Sequence, residues 1–174
     1  MEPGKPKSRP SLRVVNERDP IGDLREASLA QLEGDLLQAL DSQDIVVLFQ
    51  PQFSCRDGAV AGAEALARWN HPAFGQIGAR DLFAIAERAG LVAPLSRHVV
   101  SLALEEAAQW PANLSLSLNI TPEELSDPHF ASDFANLIAG SSIEPRRLML
   151  EITEDLLLYN IEQAAGALGA LRDL

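Results

Sequence analysis

Three oxygen-bearing side chains stand where an apolar stretch gives way to loop. They are Glu64 in GAEALARWNHP (residues 62–72), Asn119 at the end of LSLSLN (114–119) and Glu151 in LMLEIT (148–153). An unpaired buried carboxylate is costly, so such a group is normally paired, protonated or bound to a metal. One Glu alone reads as the partner of an arginine or a backbone amide. Two carboxylates and one amide on successive elements have the composition of a hard-cation site of the Mg²⁺ or Mn²⁺ type. Zinc is disfavoured, because His71, His98 and His129 have no ligand-like spacing and Cys55 is the single cysteine.

The elements that must position these groups follow from hydrophobic period. Residues 24–40 place Leu29, Leu32, Leu36 and Leu40 at helical spacing. IVVLFQ, residues 45–50, is a β-branched and aromatic run closed by Pro51, hence a strand. Asp57-Gly58 is a turn signal and residues 59–66 return as a small-residue strand, so the first two strands form a hairpin. Helices are expected over 79–90, with Gly90 at the terminus, and from about Pro94 to Trp110, with Pro111 as the stop. LSLSLN alternates strictly, placing leucines on one face and Ser115, Ser117 and Asn119 on the other. A helix over 127–139 opening on Asp127-Pro128, a fourth strand at 148–153 and a helix over 155–174 complete the order.

After the hairpin, strands and helices alternate, which predicts an α/β domain with crossover connections. In a barrel of parallel strands one parity lines the lumen, and chemistry gathers at the C-terminal rim. Asn119 shares the parity of the serines, and Glu151 opposes Leu148, Leu150 and Ile152. Both therefore point inward.

Composition bounds the class. With 174 residues, 47% of them hydrophobic, the chain can bury one ordinary core. No apolar run approaches the roughly 20 residues of a membrane span, and MEPGKPKSRP carries charge and proline where a signal peptide would be apolar. A cytoplasmic domain is expected. Residues 1–23 read as a basic, disordered leader: Lys5, Lys7, Arg9, Arg13 and Arg18 face only Glu2 and Glu17 over the first 18. The rest is strongly acidic within a formal net charge of −11, which disfavours DNA and other polyanions unless a cation intervenes.

FQPQ (49–52), GAEALARWNHP (62–72), FAIAERAGL (83–91), LSLNITPEEL (116–125) and LMLEITE (148–154) resemble, in order and spacing, the EAL-domain cyclic di-GMP phosphodiesterases. The resemblance covers residues 25–174. It implies a TIM-barrel-like fold, a modified β/α barrel with one antiparallel strand. It also implies hydrolysis of one phosphodiester of cyclic di-GMP to linear pGpG with two divalent ions, Mg²⁺ or Mn²⁺. Carried over by residue, Glu64, Asn119 and Glu151 match metal ligands. Gln50 and Arg68 match substrate-contacting positions, Arg68 through a phosphate, and Leu66 matches one lining the nucleotide. Glu154 matches an acidic position near the metals. His71 reads as a structural turn residue and Trp69 as packing.

The chain also departs from that pattern. The family continues with an Asp-Asp-Phe-Gly strand end, then a lysine, a glutamate and a glutamine on later strands. No Asp-Asp pair occurs here and no lysine follows Lys7. Four strands are found where a closed barrel has eight. The expectation is an EAL domain over 24–174 truncated before its C-terminal half, with no complete catalytic set, and inactive as an isolated chain. Open sheet edges would invite a homodimer or a partner protein. The alternatives are an inactive cyclic di-GMP-binding module and a protein-interaction module.

Overall fold

Asp57 and Gly58 turn the chain back on itself as expected. Gly58 takes φ 71°, the left-handed region that glycine enters without a Cβ clash. The Asp57 carboxylate accepts the Ala59 N–H at 3.1 Å, and this bond, with help from the Ser54 hydroxyl, holds its pKa below the ordinary value. The turn joins β1 (Ile45–Phe53) to β2 (Val60–His71) in an antiparallel ladder running from Ile45 opposite Trp69 to Phe53 opposite Val60. The computed structural model describes residues 26–152 and 161–172. The expected leader, Glu154 and Leu158 lie outside the described residues.

Both hairpin strands run further than expected. β1 continues through Pro51, which lacks an N–H to donate, because among the described residues β1 has β2 as its one neighbour. β2 continues past Leu66 to His71 because Arg68–His71 pair with a short strand, β3 (Gly75–Gly78). GQIG has too little side chain to show alternation, so β3 escapes a pattern reading.

Two crossovers follow. α2 (Ala79–Ala89) and α3 (Val92–Ala107) lead to β4 (Ser115–Ile120), parallel to β2; α4 (Pro122–Ser126) and α5 (Phe130–Gly140) lead through a 3-10 turn at Pro145–Arg147 to β5 (Leu148–Ile152), parallel to β4. The sheet order is β1-β2-β4-β5, with β3 on β2. α1 (Glu26–Asp41) precedes the sheet and α6 (Ile161–Arg172) follows it. This is the wall of a TIM-barrel-like domain in part, with β1 antiparallel as the resemblance implied.

Local chemistry sets the helix bounds. Gly90 ends α2 at φ 68°. α3 starts before Pro94, which is tolerated in a first turn, and stops at Ala107, short of Trp110. The expected helix over 127–139 starts late, as α5 at Phe130 with His129 at its cap instead of Asp127, and a separate short helix, α4, precedes it, started by the reciprocal capping box of Thr121 and Glu124. The T-x-x-E signal for α4 was present in the sequence.

One face of the strands packs against the helices. Ala63, Ala65, Ala67, Leu116, Leu118 and Ile120 are buried under the helices. One cluster gathers Leu32, Leu36, Trp69, Ile77, Leu82 and Ile85 beneath the hairpin; another gathers Leu104, Leu116, Leu118, Phe130 and Phe134 beneath β4. Trp69 is 1% exposed, and burying a side chain of this kind contributes ~2–3 kcal/mol. Arg147, also buried, donates to the carbonyls of Leu114 (2.9 Å) and Ala107 (3.0 Å), tying the end of α3 to the start of β4.

Candidate functional site

The opposite face of the sheet carries the polar groups. Pairing sets Gln50 opposite Glu64, Leu48 opposite Leu66 and Val46 opposite Arg68 on the hairpin; Glu64 lies opposite Ser117, and Asn119 opposite Glu151. All lie on one face. This face curls inward: Gln52 on β1 donates to Glu151 on β5, although on a flat sheet the two strands would lie about 14 Å apart. At Gly62 β2 and β4 approach closely, and a Cβ there would collide with the backbone oxygen and hydroxyl of Ser115.

Asn119 and Glu151 each stand one residue before the end of their strand, as parity and position predicted. Glu64 does not end its strand, since β2 runs on to His71. What stops beside Glu64 is its parallel ladder with β4, whose last pair is Glu64 with Ser117. Beyond it β2 is held by the two hairpins.

Asn119 Nδ2 donates to Glu64 Oε1 at 2.7 Å. Gln52 Nε2 donates to Glu151 Oε1 at 2.8 Å, and Ser117 Oγ donates to Gln52 Oε1 at 3.0 Å. Among the described residues, Glu64 Oε2, Asn119 Oδ1 and Glu151 Oε2 accept no hydrogen bond. Every neutral donor therefore holds one oxygen of the set and leaves the other for a further ligand. This all-oxygen donor set fits a hard divalent cation. Among the described residues no three His, Cys, Asp or Glu side chains cluster as a metal centre, so the triad is two carboxylates and an amide.

The remaining predicted residues spread along the same face. Gln50 is exposed beside Glu64, and Leu66 is half-buried. Arg68 is 7% exposed; among the described residues its guanidinium makes one hydrogen bond, from Nη1 to the Ala67 carbonyl at 2.8 Å, and no ion pair. Four strand residues separate it from Glu64, about 13 Å along the chain. His71 ends β2 instead of standing in a turn. Its Nδ1 accepts the N–H groups of Ala73 and Phe74, which leaves Nε2 to donate to Asp35 at 3.1 Å. It is structural, like Trp69.

The sequence pattern gave Gln52 no role beside Gln50, and Ser117 only its place on the face of Asn119. It also missed a cavity of about 110 Å³ between α3, α4 and α5, lined by Ser96, Arg97, Glu124, Phe130 and Phe134. Glu124 there is already satisfied: Ser96 donates to one carboxylate oxygen and the Thr121 N–H to the other.

A fold with chemistry collected on the inner face at parallel strand ends defines a class, the TIM-barrel-like α/β domains. Within it the chain belongs to the EAL domain family, whose model matches residues 33–174. It is 30% identical over 143 residues to the cyclic di-GMP phosphodiesterase PA2567 of Pseudomonas aeruginosa, covering 80% of this chain and 24% of that protein. It is 31% identical over 140 residues to the cyclic di-GMP phosphodiesterase PdeR of Escherichia coli, covering 79% and 21%. Among solved structures it is similar to the PaMucR phosphodiesterase in complex with c-di-GMP: TM-score 0.77, 28% identity, 82% of this chain and 60% of that one. The chain spans about a fifth of the length of the curated relatives it matches. Among the described residues no helix is long and apolar enough to cross a membrane.

Proposed function

We propose that this chain carries the metal-holding part of a bacterial, cytoplasmic cyclic di-GMP phosphodiesterase, which hydrolyses the dinucleotide to linear pGpG. The observation that carries the proposal is the joint placement of Glu64, Asn119 and Glu151 on one inner face, each with an uncommitted oxygen, in an EAL domain. These three would hold Mg²⁺ or Mn²⁺ in a two-ion site. Bound there, the ions would polarise the phosphoryl oxygen and lower the pKa of a water nucleophile.

The chain's own groups do the rest. Asn119 fixes the Glu64 carboxylate by donating to it, so Glu64 presents one chosen oxygen. The Arg68 guanidinium, with donors to spare, offers charge-assisted hydrogen bonds to a phosphate, and Gln50 offers an exposed amide. Leu66 supplies apolar surface for a base. An acidic domain repels an anionic dinucleotide, so cations are needed for binding as well as for chemistry.

Isothermal calorimetry of the chain with Mn²⁺, then with cyclic di-GMP in its presence, tests this. The expected result is binding of both, with Glu64→Ala weakening Mn²⁺ about tenfold or more. No Mn²⁺ binding, or an unaffected variant, overturns it.

A further inference from the structure

We infer that Gln52 is a positioning residue for Glu151, working across the inner face from the opposite edge of the described sheet; the inference rests on the metal-site reading above. Gln52 belongs to β1 and Glu151 to β5, yet the amide Nε2 donates to Glu151 Oε1 at 2.8 Å. An amide can present either end to a carboxylate, and its oxygen would repel one. The acceptor-only carboxylate of Glu151 takes the nitrogen, and Ser117 satisfies the other end: fully buried, its hydroxyl donates to Gln52 Oε1 at 3.0 Å, so both ends of the amide are engaged.

The chemistry of the donor matters as much as its place. A free glutamate samples many rotamers, and ordering it costs entropy whenever a ligand demands one of them. Gln52 settles that cost in the folded chain. Because the amide is neutral, it orders Glu151 without neutralising it, whereas a lysine or arginine there would compete with a cation for the same charge. One carboxylate oxygen is committed, and Oε2 remains without a hydrogen bond among the described residues. Asn119 treats Glu64 in the same way, amide nitrogen to Oε1. Two glutamates are thus each steadied by one neutral amide.

The test is a Mn²⁺ titration of the full chain followed by electron paramagnetic resonance, on wild type, Gln52→Met, Ser117→Ala and Glu151→Ala. Melting without metal runs alongside. Gln52→Met keeps length and removes the amide; it should weaken Mn²⁺ about tenfold or more while the metal-free melting temperature stays near that of wild type. Ser117→Ala leaves Gln52 in place but frees its oxygen, and should weaken Mn²⁺ about threefold, which keeps the inference testable if Gln52→Met fails to fold. If wild type binds Mn²⁺ and Glu151→Ala weakens it, but Gln52→Met and Ser117→Ala bind as wild type, the inference alone fails. If wild type does not bind Mn²⁺, the metal-site reading and the inference fall together.

Discussion

Arg68 and Glu64 share a face but stand about 13 Å apart along β2, which under the proposed function gives them different ligands. Removing the guanidinium should therefore separate substrate binding from metal binding. Arg68→Ala is expected to weaken cyclic di-GMP about tenfold or more, the worth of one charge-assisted hydrogen bond to a phosphate, and to leave Mn²⁺ affinity unchanged. Calorimetry of the two ligands on the one variant checks both halves. A parallel loss of Mn²⁺ would place Arg68 among the groups that hold the metal site together. His71 is the contrasting case. It looks like chemistry in WNHP, yet two backbone N–H groups and Asp35 use both ring nitrogens, so the ring is committed to closing the turn after β2.

The elements place these residues by close approach. β2 and β4 are parallel only from Gly62 to Glu64, and at Gly62 the strands come too near for a side chain. Gly62→Ala should force them apart, costing about 1–3 kcal/mol as overpacking, and should loosen the site because Glu64 and Ser117 close the same ladder. Urea unfolding measures the first effect and Mn²⁺ titration the second. A stable variant with unchanged Mn²⁺ affinity would mean that the ladder does not set the spacing of Glu64 from β4. Arg147 serves the same geometry from below, since its two carbonyl contacts fix where α3 ends and β4 begins.

At the scale of the whole molecule, the described sheet has β1 and β5 at its edges, and its inner face shows Leu48 at 37% and Met149 at 51% exposure. Edges with no further neighbour among the described residues, beside exposed apolar side chains, favour association. Sedimentation velocity of the purified chain at micromolar concentration should show self-association that grows with concentration. A monomer throughout would mean that the edges are protected. The acidic body works against this by charge repulsion, so association should strengthen as salt screens it.

Much of this protein was determined by the order of its residues. Alternation in LSLSLN and LMLEIT fixed which side of each strand meets the helices, because side chains on a strand point to opposite faces in turn, and so it also fixed that Asn119 and Glu151 face inward. The turn at Asp57-Gly58 and the helix end at Gly90 were legible because only glycine enters those conformations freely. Strand lengths were not, since Pro51 reads as a stop and GQIG shows no alternation, while the extent of each strand is decided by which neighbour pairs with it. Nor could the sequence show that Gln52 meets Ser117 and Glu151, which lie 65 and 99 residues away. That contact depends on the curl of the sheet, a property of the packed strands together and of no single stretch of chain.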